Sequence, residues 1–167
     1  MVIKRIRGAV AAGHPLTAQA AEEILLAGGN AYDAIIAALF AACVGEPVLV
    51  SLGGGGFLLA QAADRQPVIF DFFVQIPLQN RPDTELDFKP IMADFGTVQQ
   101  EFHIGLGSIA TPGSVKGMVE IHHQLASLPM YVLMQPAIEF ARSGVRLNSL
   151  QAYIFNMAMS QLTIGFC

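Results

Sequence analysis

The chain has 167 residues, enough for one domain with its own core. Hydrophobic residues make up 53% and charged residues only 13%, against about 25% charged in ordinary soluble domains. The formal net charge of −4 excludes the basic footprint of a nucleic-acid binder.

A membrane span does not account for the low charge. The longest strongly apolar run, AIIAALFAACVG (34–45), has 12 residues between Asp33 and Glu46, whereas a spanning helix needs roughly 20. MVIKRIR is basic enough to open a signal peptide, but GAVAAGHP is too short and glycine-rich for its apolar core. The expected location is therefore the cytoplasm. Burial against another polypeptide is the remaining cause. Cys43 lies within the apolar run and reads as a buried thiol, and with Cys167 it makes no disulfide framework.

GAVAAGH (8–14) is small and apolar, as in a buried strand. PLTAQAAEEILLAGGN follows as a helix with Thr17 as N-cap and Gly28 and Gly29 as its stop. Asn30 caps a second helix, with Asp33 near its positive end. That helix is apolar on nearly every side, so burial all round is expected, and Glu46-Pro47 ends it. FLLAQAA and PVIFDFFVQ form a hairpin across DRQ. IPLQNRPDTELDFKP reads as a loop, and TVQQEFHIGLGSIATPG holds one or two short strands. Three helices close the chain, over roughly 113–125, 130–143 and 148–162, with Gly144 ending the second. No linker interrupts the chain, so a single domain over 1–167 is expected.

Four glycines, Gly53, Gly54, Gly55 and Gly56, precede the hairpin. A phosphate loop would lead into a helix, and a Walker loop would end in Lys-Ser/Thr. This run leads into a strand and no lysine follows, so the glycines are read as a structural turn. Close backbone approach or positive φ is expected, with positive φ for at least one of them. GLGSIA (105–110) matches G-x-G-x-x-A only formally, because Thr111-Pro112 precede any helix. His122 and His123, adjacent on a helix, point about 100° apart and do not chelate as a pair. No metal site, cofactor site, nucleophile elbow or paired carboxylates stand out.

The succession GAVAAGHPLTAQAAEEILLAGGNAYDA, EP, GGGGF, FDF…P, ATPGSVKG and QPAIEFARSG, from about Gly8 to about Asn148, resembles the γ-glutamyltranspeptidase family. The resemblance implies a mixed α/β (α+β) fold, part of the αββα sandwich of N-terminal-nucleophile hydrolases and incomplete in this chain. It implies a precursor that cuts itself into large and small subunits. The new N-terminal threonine of the small subunit attacks a γ-glutamyl amide such as glutathione, its own amine serving as base. The matched residues fall in the N-terminal part of the large subunit. Thr17, Thr84, Thr97, Thr111 and Thr163 all lack the family's Thr-Thr-His-type context, so no catalytic residue is expected within this chain, and its inactivity alone is expected. The expected partners are the remainder of the large subunit, the small subunit and a small-molecule amide, without nucleic acid or membrane.

One departure concerns the substrate. The family motif after the hairpin reads Asp-Phe-Arg, with a proline four positions beyond the arginine that grips the α-carboxylate of the γ-glutamyl group. Here the residues are Asp71, Phe72, Phe73 and then Pro77. A phenyl ring at Phe73 cannot make the bidentate contact, which favours a differently recognised acyl group, as in acylase-like relatives. Arg81, eight residues on, is the candidate substitute. The competing reading is a truncated, non-catalytic chain that associates with a partner or is the product of an interrupted gene. The tail SQLTIGFC, which carries no domain-closing signal, fits that reading.

Overall fold

The computed structural model describes residues 8–47, 49–79 and 81–162. The basic segment 1–7 and the tail with Thr163 and Cys167 lie outside them. The described chain divides into two compact units, although no linker composition marks a boundary. One unit holds the chain up to Phe73 together with Pro112–Arg146, and the other holds Val74–Thr111 together with Leu147 onward. The two units thus alternate along the chain, and the boundaries fall at ordinary loops.

The first unit is built on α1 (Pro15–Leu26), α2 (Ala31–Gly45), the hairpin β1 (Phe57–Ala60) and β2 (Val68–Asp71), α3 (Ser114–Leu125) and α4 (Met130–Ser143). Its core joins Ile24, Ile36, Ala37, Ile121 and Leu133. The N-cap of α1 is His14 and not Thr17: the Leu16 N–H donates to His14 Nδ1 at 3.2 Å. Thr17 already lies inside the helix, where its hydroxyl donates to Glu46 Oε1 at 2.8 Å. At the other end Gly28 takes φ +101, the Gly29 N–H reaches Ile24 O and the Gly28 N–H reaches Leu25 O. This is a Schellman stop, which needs the left-handed conformation at Gly28. A Cβ on Gly29 would meet Ile24 Cγ2 at 2.7 Å, so close packing excludes a larger residue there.

Asn30 and Asp33 form a full capping box at the start of α2. Asp33 is also fully buried and joins two turns: it accepts from Asn30 N–H (2.8 Å), Ser127 N–H (2.9 Å), Ser127 O–H (2.5 Å) and Leu128 N–H (3.0 Å). Burial alone would raise its pKa. The four hydrogen bonds outweigh that effect and hold the carboxyl below the ordinary aspartate value.

Two expectations for this unit are corrected. Residues 8–12 are exposed and irregular, because no strand among the described residues pairs with them. The burial of α2 is also incomplete. Ala34, Ile36 and Ala37 are buried, but Ile35 is 36% exposed and Cys43 only part-buried. Burial pushes the Cys43 thiol above its ordinary pKa.

The second unit contains β3 (Lys89–Asp94) and β4 (Gln99–Ile104), an antiparallel pair, and α5 (Ser149–Leu162). β3 falls partly in the segment expected to be a loop. Pro90 hides it in the sequence, since proline is tolerated only at strand edges. The carboxylate of Asp87 accepts from Leu106 N–H and pairs with Lys89, and its carbonyl accepts from Gly107 N–H. Gly105 takes φ +103 there, and a Cβ would meet Asp87 O at 2.3 Å. The N–H groups of Leu106 and Gly107 therefore serve Asp87, which holds this turn. The Leu106 hydrogen bond, followed by Lys89, lowers the Asp87 pKa. Among the described residues no helix is long and apolar enough to cross a membrane.

Candidate functional site

The glycine run connects the hairpin to α3. Gly54 O accepts from Gly113 N–H (2.9 Å) and Ser114 N–H (3.0 Å), so a loop carbonyl satisfies donors at the start of α3. Gly56 exchanges two backbone hydrogen bonds with Phe72, which extends the hairpin ladder by one pair. The Phe72 ring then lies between glycines: a Cβ on Gly56 would meet it at 3.1 Å, and one on Gly117 at 2.3 Å. None of Gly53, Gly54, Gly55 and Gly56 has positive φ, contrary to expectation. Close approach of Phe72 and of the α3 terminus, and not a left-handed turn, is what excludes side chains here.

Register then decides which side chains share a face. Leu58 pairs with Phe70, and both pack toward the helical core. Phe57 pairs with Asp71, and Leu59 with Ile69, so these four share the opposite face. Phe57, Leu59 and Ile69 are each about two-thirds exposed. The Phe73 N–H donates to Asp71 Oδ1 at 3.0 Å, an Asx turn that bends the chain just past β2. The Phe73 ring stacks on Phe57, with centroids 5.4 Å apart and planes 11° from parallel. Phe73 remains half exposed.

Beside Phe57 opens a cavity of about 420 Å3. Its walls include Ile35, Leu39 and Cys43, one stripe of α2 at i, i+4 and i+8, together with Leu49, Phe72 and Met118. Its polar contributions come from Ser51, Ser114 and the backbone of Gly54, Gly55 and Gly56, and no lysine, arginine or histidine is among the described residues that line it. The chemistry of this site is therefore apolar contact with a few neutral hydrogen-bonding groups. It supplies no acid, base or activated nucleophile.

Arg81 belongs to the second unit. It lines a separate cleft of about 700 Å3 with Asp83, Glu85 and Asp87, in acidic company. His122 Nε2 donates to Leu128 O over 2.9 Å, a structural contact, and its ring lies 6.1 Å from that of His123. Sequence reasoning singles out Phe73 and the glycines but misses Phe57 and the Ile35–Leu39–Cys43 stripe. The four-residue spacing of the stripe is a visible signal. The Phe57–Phe73 contact depends on strand register and is not.

Helices backing one face of a hairpin whose other face stays apolar match the layering of N-terminal-nucleophile hydrolases. The γ-glutamyltranspeptidase of Pseudomonas nitroreducens, solved in complex with L-DON, superposes with a TM-score of 0.76 at 31% identity, over 92% of this chain and 44% of that one. A sequence model of the family described as Gamma-glutamyltranspeptidase matches residues 17–164, and the chain belongs to that family. The Acylase ACY 1 proenzyme of Pseudomonas sp. strain V22 is 38% identical over 139 residues, 83% of this chain and 25% of that protein. The Glutathione hydrolase proenzyme of Pseudomonas aeruginosa is 34% identical over 145 residues, 86% and 25% of the two chains. The chain thus spans about a quarter of the length of these curated relatives.

Proposed function

We propose that this chain supplies the N-terminal part of the large subunit of a γ-glutamyltranspeptidase-like hydrolase or transferase, whose nucleophilic threonine lies outside it. The reaction is acyl transfer: the threonine hydroxyl attacks the amide carbonyl, the amine leaves, and water or a second amine takes the acyl group from the ester. The contribution of this chain is to bind and orient the acyl group.

The observation that carries the reading is the combination of a family match over 17–164 with a site that holds only apolar and neutral groups. Phe73 supports a shift of substrate. It occupies the motif position of the family arginine, and its ring is engaged with Phe57. A glutamyl α-carboxylate placed there would lose its charge partner, at a cost of about 2–5 kcal/mol for a buried group. Arg81, among acidic residues of its own unit, is the weaker candidate for that role.

The test is complementation. Residues 1–167 are co-expressed with the part of the Pseudomonas acylase that follows its matched segment, and turnover of γ-glutamyl and other acyl anilides is measured. Turnover is expected only for the pair, and substitution of a threonine in the added part should abolish it. Turnover by 1–167 alone, or by the pair irrespective of that threonine, would refute the reading.

A further inference from the structure

We propose that the stacked Phe57–Phe73 pair, with the cavity beside Phe57, is the acyl-group site and that the group it takes is an aromatic acyl chain. The inference rests on the acyl-transfer reading above and names its substrate class.

Three observations point the same way. First, the ring pair is held in place from both sides. Phe57 is fixed in β1 opposite Asp71, and the same Asp71 carboxylate fixes the backbone of Phe73. Both rings keep accessible surface, 64% for Phe57 and 49% for Phe73, so a third ring can join the stack. Aromatic groups favour such offset or edge contacts.

Second, Phe57 also belongs to the cavity wall. A chain seated against the ring pair therefore has an apolar recess next to it. At about 420 Å3 the recess lies within the range of small-molecule sites. Ser51, Ser114 and the glycine backbone offer the few neutral polar contacts that such sites use to fix orientation.

Third, the α-carboxylate of a glutamyl group finds no charge partner here. No cationic side chain is among the described residues lining the recess, and the ring faces carry negative potential. A carboxylate there would be desolvated without compensation. An aromatic acyl chain carries no such charge and gains the stack.

The experiment uses the absence of tryptophan from the chain. In Phe57→Trp the single indole reports contact at the stack. Phenylacetylglycine and γ-glutamylglycine differ only in the acyl group and are titrated separately. The expected result is a saturating emission change with phenylacetylglycine, at a half-saturation at least about tenfold lower than with γ-glutamylglycine. Adding Phe73→Arg should reverse the order. Far-UV circular dichroism and the unfolding midpoint must match the parent chain; if Phe57→Trp does not fold, Phe73→Trp carries the same titration.

Equal responses to the two ligands, or none to phenylacetylglycine in a folded variant, would overturn the proposal. The titration is made in a Leu59→Lys, Ile69→Glu background, so that self-association through the same face does not cover the rings. The complementation assay separates the two readings. Turnover without preference for the aromatic acyl group sinks this inference alone, whereas no threonine-dependent turnover on any donor sinks the function as well.

Discussion

The two hairpins are written for different surroundings. In β1–β2 one face carries Leu58, Ala60 and Phe70, and the other carries Phe57, Leu59 and Ile69, with Asp71 the only charge in either strand. Both faces are fit for burial, yet helices of the first unit cover only one. In β3–β4, Lys89, Asp94, Gln99, Gln100, Glu101 and His103 are spread along strands of similar length. That hairpin accepts water on its exposed surface. The contrast marks the open face of β1–β2 as the place where a second sheet layer would pack. The predictions below probe that contrast, from the supports of the first unit to a surface feature of the second.

The largest effect is expected at Asp33. Asp33→Ala leaves the Asn30, Ser127 and Leu128 N–H donors without their acceptor, so chemical denaturation should show a loss of about 3 kcal/mol or more. The pH dependence follows from the lowered pKa. The contribution of the carboxylate is complete above the unfolded value of about 3.9 and is lost as pH falls through the lower folded value. The stability difference between wild type and Asp33→Asn should therefore narrow in acid. A difference that stays constant to the acid-unfolding limit would show that the charge is not what matters.

Glycines come next. A Cβ on Gly113 would sit 1.9 Å from Phe72 O, and backbone cannot step aside. Gly113→Ala should cost about 2–3 kcal/mol by overpacking. Gly53→Ala meets only Ser51 Oγ at 3.7 Å and has ordinary φ, so it should stay within about 0.5 kcal/mol. Comparable losses at the two positions would mean that the run acts through backbone flexibility, against the account of close approach. The smallest effect belongs to the second unit. Lys89→Ala removes an exposed ion pair with Asp87 and should leave the thermal midpoint where it is.

Elements are legible where local chemistry decides them. The Asn30–Asp33 box, the Gly28 stop and the Gly144 stop are short-range signals, and α2 through α5 follow from them and from periodicity. The β1–β2 hairpin is legible from its Val, Ile and Phe content. Residues 8–12 mislead because an apolar stretch becomes a strand only beside a partner. Thr17 misleads as a cap because His14, one residue before Pro15, already supplies the acceptor. The conformation of Gly53 to Gly56 escapes the sequence because their neighbours, Phe72 and Gly113, are remote along the chain. For the site, Phe73 is legible only against the family motif. Its partner Phe57 and the cavity beside it depend on pairing across the hairpin.

The central claim is that the face of β1–β2 bearing Leu59 and Ile69 is made to be covered. Static light scattering on residues 1–167 and on the double variant Leu59→Lys, Ile69→Glu, which places opposite charges across the pair, tests it most directly. The account predicts a self-associated wild-type chain and a variant that moves to monomer mass with an unchanged unfolding midpoint, because both side chains are about two-thirds exposed. A wild-type chain that is already a stable, monodisperse monomer would contradict it.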